Sequence, residues 1–373
     1  MTTIVFLRLL ATILLVLALS GCASTIGNRI IAAPNQGQSF DLLDDEERKS
    51  WSDHIERPFF SQRIELNSPH DGSRLVSFRL PAGSYPHRYE LKHRDGHSFR
   101  IELSANWQGG PHQPARGTVL FIHGWQADYR QLFFHALGLA EMGWDGVLTD
   151  LRGHGHSGGD TISFGVHESL ELQTLIDHII ELPDFTPPLV LFGTSMGAAV
   201  ALLAAAEHDA VAGVIAVAPY GEFMTVFPDG LQHMAPRSMR PFLNPNRVER
   251  ALAHAEQRSM ASLTDAAPLA RASEVSVPVL LIHGKADRFV PAEQSRLLAK
   301  ELPDTELVLL EEHKHVSLIL DRAAVLEPAE AWLEKQFNRE AATAKQSGSI
   351  INPLRGPGRS GRALTRIFHE CTR

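Results

Sequence analysis

The chain has 373 residues, 44% hydrophobic and 21% charged, so it can bury one large or two small globular cores. Its 35 Lys and Arg against 43 Asp and Glu leave a net charge of −8, which shows no basic footprint for nucleic acid. No internal repeat is visible.

At the start, Arg8 and the amino terminus are weakly positive, Leu9 to Leu19 is almost wholly apolar, and the small residues Ser20 and Gly21 lead into Cys22. The run is short for a transmembrane helix and has the layout of a signal peptide. Leu19-Ser20-Gly21-Cys22 resembles the bacterial lipobox, in which the Cys is acylated and becomes the mature N-terminus. The resemblance implies that residues 1–21 are a lipoprotein signal and that acyl chains on Cys22 hold the chain in the cell envelope. Ala23, where an inner-membrane retention signal would place Asp, permits sorting to the outer membrane. An ordinary signal peptide or an uncleaved anchor are the plainer alternatives, and the Cys after the small pair counts against both. With Cys22 acylated no intrachain disulfide is possible, which leaves Cys371 an incidental thiol.

Residues 22–58 form the lipidated N-terminus and tether. Ala23 to Gln38 mixes Pro, Asn, Gln, Gly and Ser, and a flexible segment of that size spans roughly 20–25 Å. Asp41 to Arg57 is charged, holds Trp51 and predicts a surface helix. Short strands follow at Leu75–Leu80, Tyr89–Lys92 and Ser98–Leu103, with Asp95-Gly96 marking a hairpin turn between the last two. From Thr118 apolar strands alternate with helices, the pattern of a parallel α/β sheet. Strands are predicted at Thr118–Ile122, Asp145–Thr149, Leu189–Phe192, Val211–Val217, Val277–Ile282 and Glu306–Leu310. Helices are predicted at Tyr129–Met142, Val166–Leu182, Ser195–Glu207, Glu293–Glu301 and Ala323–Phe337. In such sheets chemistry collects at the C-terminal ends of the strands.

Gly193-Thr194-Ser195-Met196-Gly197 lies where one of these strands meets a helix. A Ser on so sharp a turn has its hydroxyl pushed outward, and the crowded flanks favour residues without a Cβ. The helix N-terminus behind it supplies free N–H groups where negative charge can form. By itself G-x-S-x-G arises by chance in roughly one chain in ten of this length. A Ser capping a helix is therefore the plain alternative unless other residues complete a catalytic set.

They do. His123-Gly124-Trp125, the run from Asp150 to Ser157, the Ser195 pentapeptide, the run from His283 to Pro291, and His315-Val316-Ser317-Leu318 each follow a predicted strand. With these five landmarks in order, the stretch from about Thr118 to Phe337 resembles the α/β-hydrolase family, closest to its esterase, monoacylglycerol-lipase and serine-peptidase-like members. The implied fold is a mostly parallel, doubly wound sheet with an N-terminal antiparallel hairpin and a short cap insertion, over residues 59–338. The implied chemistry is a Ser, Asp, His triad in the family's order.

A serine hydroxyl needs a base at neutral pH, and histidine suits that role. His315 is preferred over its neighbour His313 because the family's catalytic His is followed three residues on by an apolar helix residue, here Leu318. Asp287 matches the family's acid position, which holds the imidazole tautomer. Backbone N–H groups of Trp125 and Met196 are the expected oxyanion donors. His123 and His283 are expected to bond loop backbone beneath the site. The pair His154 and His156 lacks further ligands at metal spacing, so neither a metal nor a cofactor is expected.

The cap insertion, about 220–264, holds Met224, Met234, Met239 and Met260 with Tyr220, Phe223, Phe227 and Phe242. These side chains either line an acyl pocket or form the cap's own small core. After Phe337 periodicity is lost, and residues 339–373, with seven Lys or Arg against two Glu, read as a basic, disordered tail. The expected protein is a serine hydrolase of a small-molecule or lipid-like acyl substrate, anchored to a membrane. Acyl transfer or peptidase activity on the same triad, and a non-catalytic envelope binding protein, are its alternatives.

Overall fold

The computed structural model describes residues 23–35, 51–85, 87–93, 98–105, 115–234, 240, 243–337 and 367–372. The signal segment and Cys22, Met239 and Phe242 of the cap, and most of the basic tail lie outside the described residues. Among the described residues no helix is long and apolar enough to cross a membrane.

The frame is an eight-stranded sheet. Its strands are β1 (Gln62–Asn67), β2 (Arg74–Leu80), β5 (Gly117–Ile122), β6 (Trp144–Asp150), β7 (Leu189–Thr194), β8 (Val211–Val217), β9 (Val279–Gly284) and β10 (Thr305–Leu310), in the spatial order β1-β2-β6-β5-β7-β8-β9-β10. β1 and β2 form an antiparallel hairpin, β2 pairs antiparallel with β6, and the remaining pairs are parallel. The main-sheet hairpin therefore lies upstream of the one marked by Asp95-Gly96. Those later strands, β3 (His87–His93) and β4 (Ser98–Ala105), pair in a separate three-stranded sheet. Its third strand is β11 (Ile367–Thr372), so the end of the expected disordered tail pairs with β4 as a strand.

β5 and β7 are buried along their whole length because helices cover both faces, which is why their sequences are continuous apolar runs. Leu120, Ile122, Leu189 and Leu191 face α3 (Val166–Ile180) and α4 (Met196–Ala205). Val119, Phe121, Val190 and Phe192 face α2 (Phe133–Glu141) and α8 (Arg322–Phe337). After β5 the chain passes to β6 on one side and then to β7 on the other. The crevice at this reversal opens at the C-terminal strand ends.

The cap comprises α5 (Phe223–Met234) and α6 (Pro245–Ser259). Asn244 caps α6 by accepting the N–H of Arg247 at 3.0 Å, and Pro245 occupies its first turn.

The expected tether is instead structured. Residues Ala23–Ile31 form helix α1, with Ile26, Ile30 and Ile31 buried in the core beside Val248, Ala251, Leu252 and Ala255 of α6. Gly27 permits that approach, since a Cβ there would lie 2.3 Å from the carbonyl oxygen of Ala251. Beyond α1 the chain bonds to the loop after β6: Ile162 N–H to Ile31 O at 2.9 Å, Ala33 N–H to Asp160 O at 3.2 Å, and Asn35 N–H to Gly153 O at 3.0 Å. A surface reading also fails at Trp51, which is buried, packs edge-on against Phe133 and donates to the Tyr129 hydroxyl at 2.7 Å.

Candidate active site

Ser195 occupies the single residue between β7 and α4, at φ 51° and ψ −115°, a conformation costly for a residue with a side chain. Two features hold it there. Its N–H donates to Val217 O at 2.8 Å, and α4 presses against the end of β5. A Cβ on residue 197 would come within 2.2 Å of Ile122 O, so only glycine allows that contact.

His315 begins α7 (His315–Leu320), just beyond β10. Its Nε2 lies 2.9 Å from Ser195 Oγ and its Nδ1 lies 2.6 Å from Asp287 Oδ2. A carboxylate only accepts, so the imidazole proton sits on Nδ1, leaving Nε2 to accept the Ser195 hydroxyl proton. His315 stays 12% exposed at its side chain, while that of Asp287 is wholly buried. Burial pushes the Asp287 carboxyl up, but donors from His283 and His315 outweigh it and hold the group below the usual carboxylate range. Oδ1 of Asp287 also accepts the N–H groups of Phe289 and Val290, both at 2.9 Å.

The rival His313 points elsewhere, its Nε2 lying 3.1 Å from Asp321 Oδ2. His283 does more than bond backbone. Its Nδ1 meets Ser295 Oγ at 2.7 Å, its Nε2 meets Val290 O at 2.9 Å, and the same Nε2 is 3.4 Å from Asp287 Oδ2.

The loop after β5 is fixed by Gln131, whose Oε1 accepts both the Gly124 N–H and the Thr194 hydroxyl at 2.8 Å. That bond ties His123-Gly124-Trp125 to the strand bearing Ser195. With the Gly124 N–H occupied, the next donor along the loop is that of Trp125. Among the described residues neither the Trp125 nor the Met196 N–H meets an acceptor. Beneath them, His123 accepts the Leu151 N–H at 3.0 Å, and His154 accepts the Gln126 N–H at 3.2 Å. Their other ring nitrogens face Gly124 O and Arg152 O, both at 2.8 Å. Burial keeps both rings neutral, pushing His154 down to about 3. These two imidazoles brace the loops after β5 and β6. Arg152, 1% exposed at its side chain, anchors the second loop through Asp71 and Glu171.

Over Ser195 opens a narrow cleft, partly open to solvent. Six aromatic rings line it, from Trp125, Phe164, Tyr220, Phe223, Phe227 and Phe289, together with Met196, Val226 and Val290. Phe164 and Phe223 stack at 4.1 Å, and Trp125 and Phe227 meet edge to face at 5.7 Å. The Tyr220 hydroxyl is turned aside to donate to Phe164 O. The cap therefore contributes aromatic rings to the lining. Of the cap methionines, Met260 is 75% exposed and Met224 packs at the core's margin. Phe164 and Val226 carry no motif that marks them in the sequence.

Comparison with known proteins bears on this arrangement. Residues 113–267, less than half of the chain, match the family described as serine aminopeptidase, S33. The Bacillus subtilis strain 168 protein YqkD, described as uncharacterized, is 27% identical over 203 residues, covering 53% of this chain. The match takes in 64% of YqkD, so this chain spans less than two thirds of that relative's length. YfhR of Escherichia coli K12, also described as uncharacterized, is 26% identical over 71% of this chain and 77% of its own. Among solved structures, the Pyrococcus furiosus esterase Pf2001 superposes with a TM-score of 0.53, at 17% identity, over 79% of this chain and 96% of its own. Est1E from Butyrivibrio proteoclasticus, solved with ferulic acid bound, gives 0.51 at 19% identity over 74% and 100%. At these identities the structural likeness speaks for the fold.

Proposed function

We propose that this chain, which has the α/β-hydrolase fold, is a serine hydrolase cleaving a carboxylic ester or similar acyl bond through an acyl-enzyme on Ser195. The observation that carries this reading is the unbroken contact chain from Ser195 Oγ to His315 Nε2 at 2.9 Å and from His315 Nδ1 to Asp287 Oδ2 at 2.6 Å.

In the proposed reaction Ser195 Oγ attacks the substrate carbonyl while His315 Nε2 takes its proton. Asp287, ionised and buried, stabilises the imidazolium that forms and keeps the ring in register. The Trp125 and Met196 N–H groups receive the oxyanion, already aimed because Gln131 and the helix start fix their backbone. His315 then gives the proton to the leaving oxygen, and the acyl group stays on Ser195. Water, deprotonated by His315, attacks the acyl-enzyme, and His315 returns the proton to Ser195 Oγ as the acid is released. These steps call on no metal or cofactor. The esterases among the structural neighbours support an ester bond as the scissile one.

On Leu19-Ser20-Gly21-Cys22 we further propose that Cys22 is acylated and that the enzyme works at an envelope membrane. A fluorophosphonate probe tests the catalytic reading: it labels the native chain at Ser195 and leaves Ser195→Ala unlabelled. A folded native chain that resists the probe refutes it.

A further inference from the structure

The residues around Ser195 constrain the group on the carbon next to the scissile carbonyl. Whichever way the substrate lies, that carbon sits one bond from the atom Ser195 attacks, so its substituents fall within the cleft floor. The floor is apolar: Trp125, Met196, Val226, Phe227, Phe289 and Val290 surround Ser195, and none bears a charge. Among the described residues the buried carboxylate at the nucleophile is Asp287, and it already receives His315, His283 and two backbone N–H groups.

Of the other acids near the lining residues in sequence, Asp128 is held by Arg130, Asp229 is exposed on the cap and does not line the cleft, and Glu168 and Glu222 have partners of their own. Glu168 accepts the N–H groups of Ser163 and Gly165 and the Ser163 hydroxyl, at 2.6 to 2.8 Å. Glu222 lies on the exposed side of the cap and accepts the Thr225 hydroxyl at 2.8 Å. The cap stretch 235–242 carries no Asp or Glu, and its only charged residues are Arg237 and Arg240.

A serine aminopeptidase, the activity in the matched family's description, must accept an α-ammonium on that very carbon. An ammonium moved from water into an uncharged aromatic cleft loses its hydration and gains no carboxylate in return. Uncharged acyl groups lose nothing comparable, and aromatic or alkyl ones gain contact with the six rings.

We infer that this site takes acyl groups uncharged at the α-carbon and rejects aminoacyl substrates. The enzyme is an esterase of apolar acids and not an aminopeptidase. This rests on the hydrolase reading given above and names its substrate class.

The test compares two p-nitrophenyl esters that differ by one group, 3-phenylpropanoate and the phenylalanine ester, using the full chain with blank hydrolysis subtracted. At pH 6 the phenylalanine ester carries its ammonium, and its kcat/KM is expected to be lower by about 100-fold or more. The gap is expected to narrow as pH rises through the ordinary α-amine range of about 7.7–8.0, where the ammonium loses its proton. Comparable rates at pH 6, or release of nitroaniline from phenylalanine p-nitroanilide at a rate rivalling the apolar ester, overturn the inference. So does a chain that reacts with fluorophosphonate at Ser195 yet leaves the 3-phenylpropanoate ester intact. A chain that neither reacts with the probe nor turns over either ester fails at the hydrolase reading, and the inference falls with it.

Discussion

Nε2 of His283 lies 3.4 Å from Oδ2 of Asp287, so the carboxylate that meets His315 is flanked by two imidazoles. Both neighbours of that Nε2, Val290 O and Asp287, are acceptors, so it carries the ring proton, and Ser295 donates to Nδ1. His283 thereby draws off part of the charge that Asp287 offers to His315.

His283→Leu removes that donor, and kcat/KM is expected to fall because Asp287 is held less firmly against His315. His283→Gln, whose amide can donate at similar reach, is expected to recover most of the loss. Ester turnover of the two variants, with circular dichroism to confirm folding, checks this. Asp287 also contributes to stability as an ionised group. Its folded pKa lies below the unfolded 3.8, so its stabilising contribution is complete above that value and fades only as pH falls towards the folded one.

Ser195→Ala is expected to lower kcat by roughly 10⁴-fold or more with the fold intact, and His315→Ala by a similar factor, because such residues act as a unit. His313→Ala is expected to keep most activity, since its side chain bonds Asp321. Ester turnover, with circular dichroism to confirm folding, measures all three. A reversal between the histidines would remove the base from the contact chain.

The catalytic landmarks are legible because chemistry restricts them to a few residue types at sharp backbone turns. Gly197 and Ser195 are fixed by a helix pressed onto Ile122, and Asp287 by two backbone donors, so their surroundings leave a local mark in the sequence. Helix α1 leaves none. Pro34, Asn35 and Gly37 give its neighbourhood the composition of a linker, and the burial of Ile26, Ile30 and Ile31 depends on α6, more than 200 residues away. The aromatic lining is obscure for the same reason, since Phe164 and Phe223 stack only once the cap has folded back.

Removing residues 1–35 takes three buried isoleucines out of the core. Each contributes about 1.5–3 kcal/mol, so the truncated chain is expected to melt lower by more than about 5 °C. Gly27→Leu in the full chain is expected to act in the same direction, because its Cβ would collide with Ala251 O. Thermal unfolding measures both. An unchanged Tm in the truncated chain would mean that α1 contributes nothing to the fold.

Mass spectrometry of the mature N-terminus is expected to show residues 22–373 with acyl chains on Cys22, recovered in the membrane fraction. Cys22→Ser is expected to abolish the modification. A free Cys22 thiol or a different first residue would refute the lipoprotein assignment.

Helix α1 begins at Ala23, one residue after the proposed anchor, and is seated on α6 of the cap. A protein moored there has no leash. Its swivel is limited to what a single peptide link allows, and the cap would hover at a fixed height above the lipid headgroups. Encounters would then be governed by lateral drift within the leaflet, favouring esters already dissolved in the bilayer over those that must be fetched from the aqueous compartment.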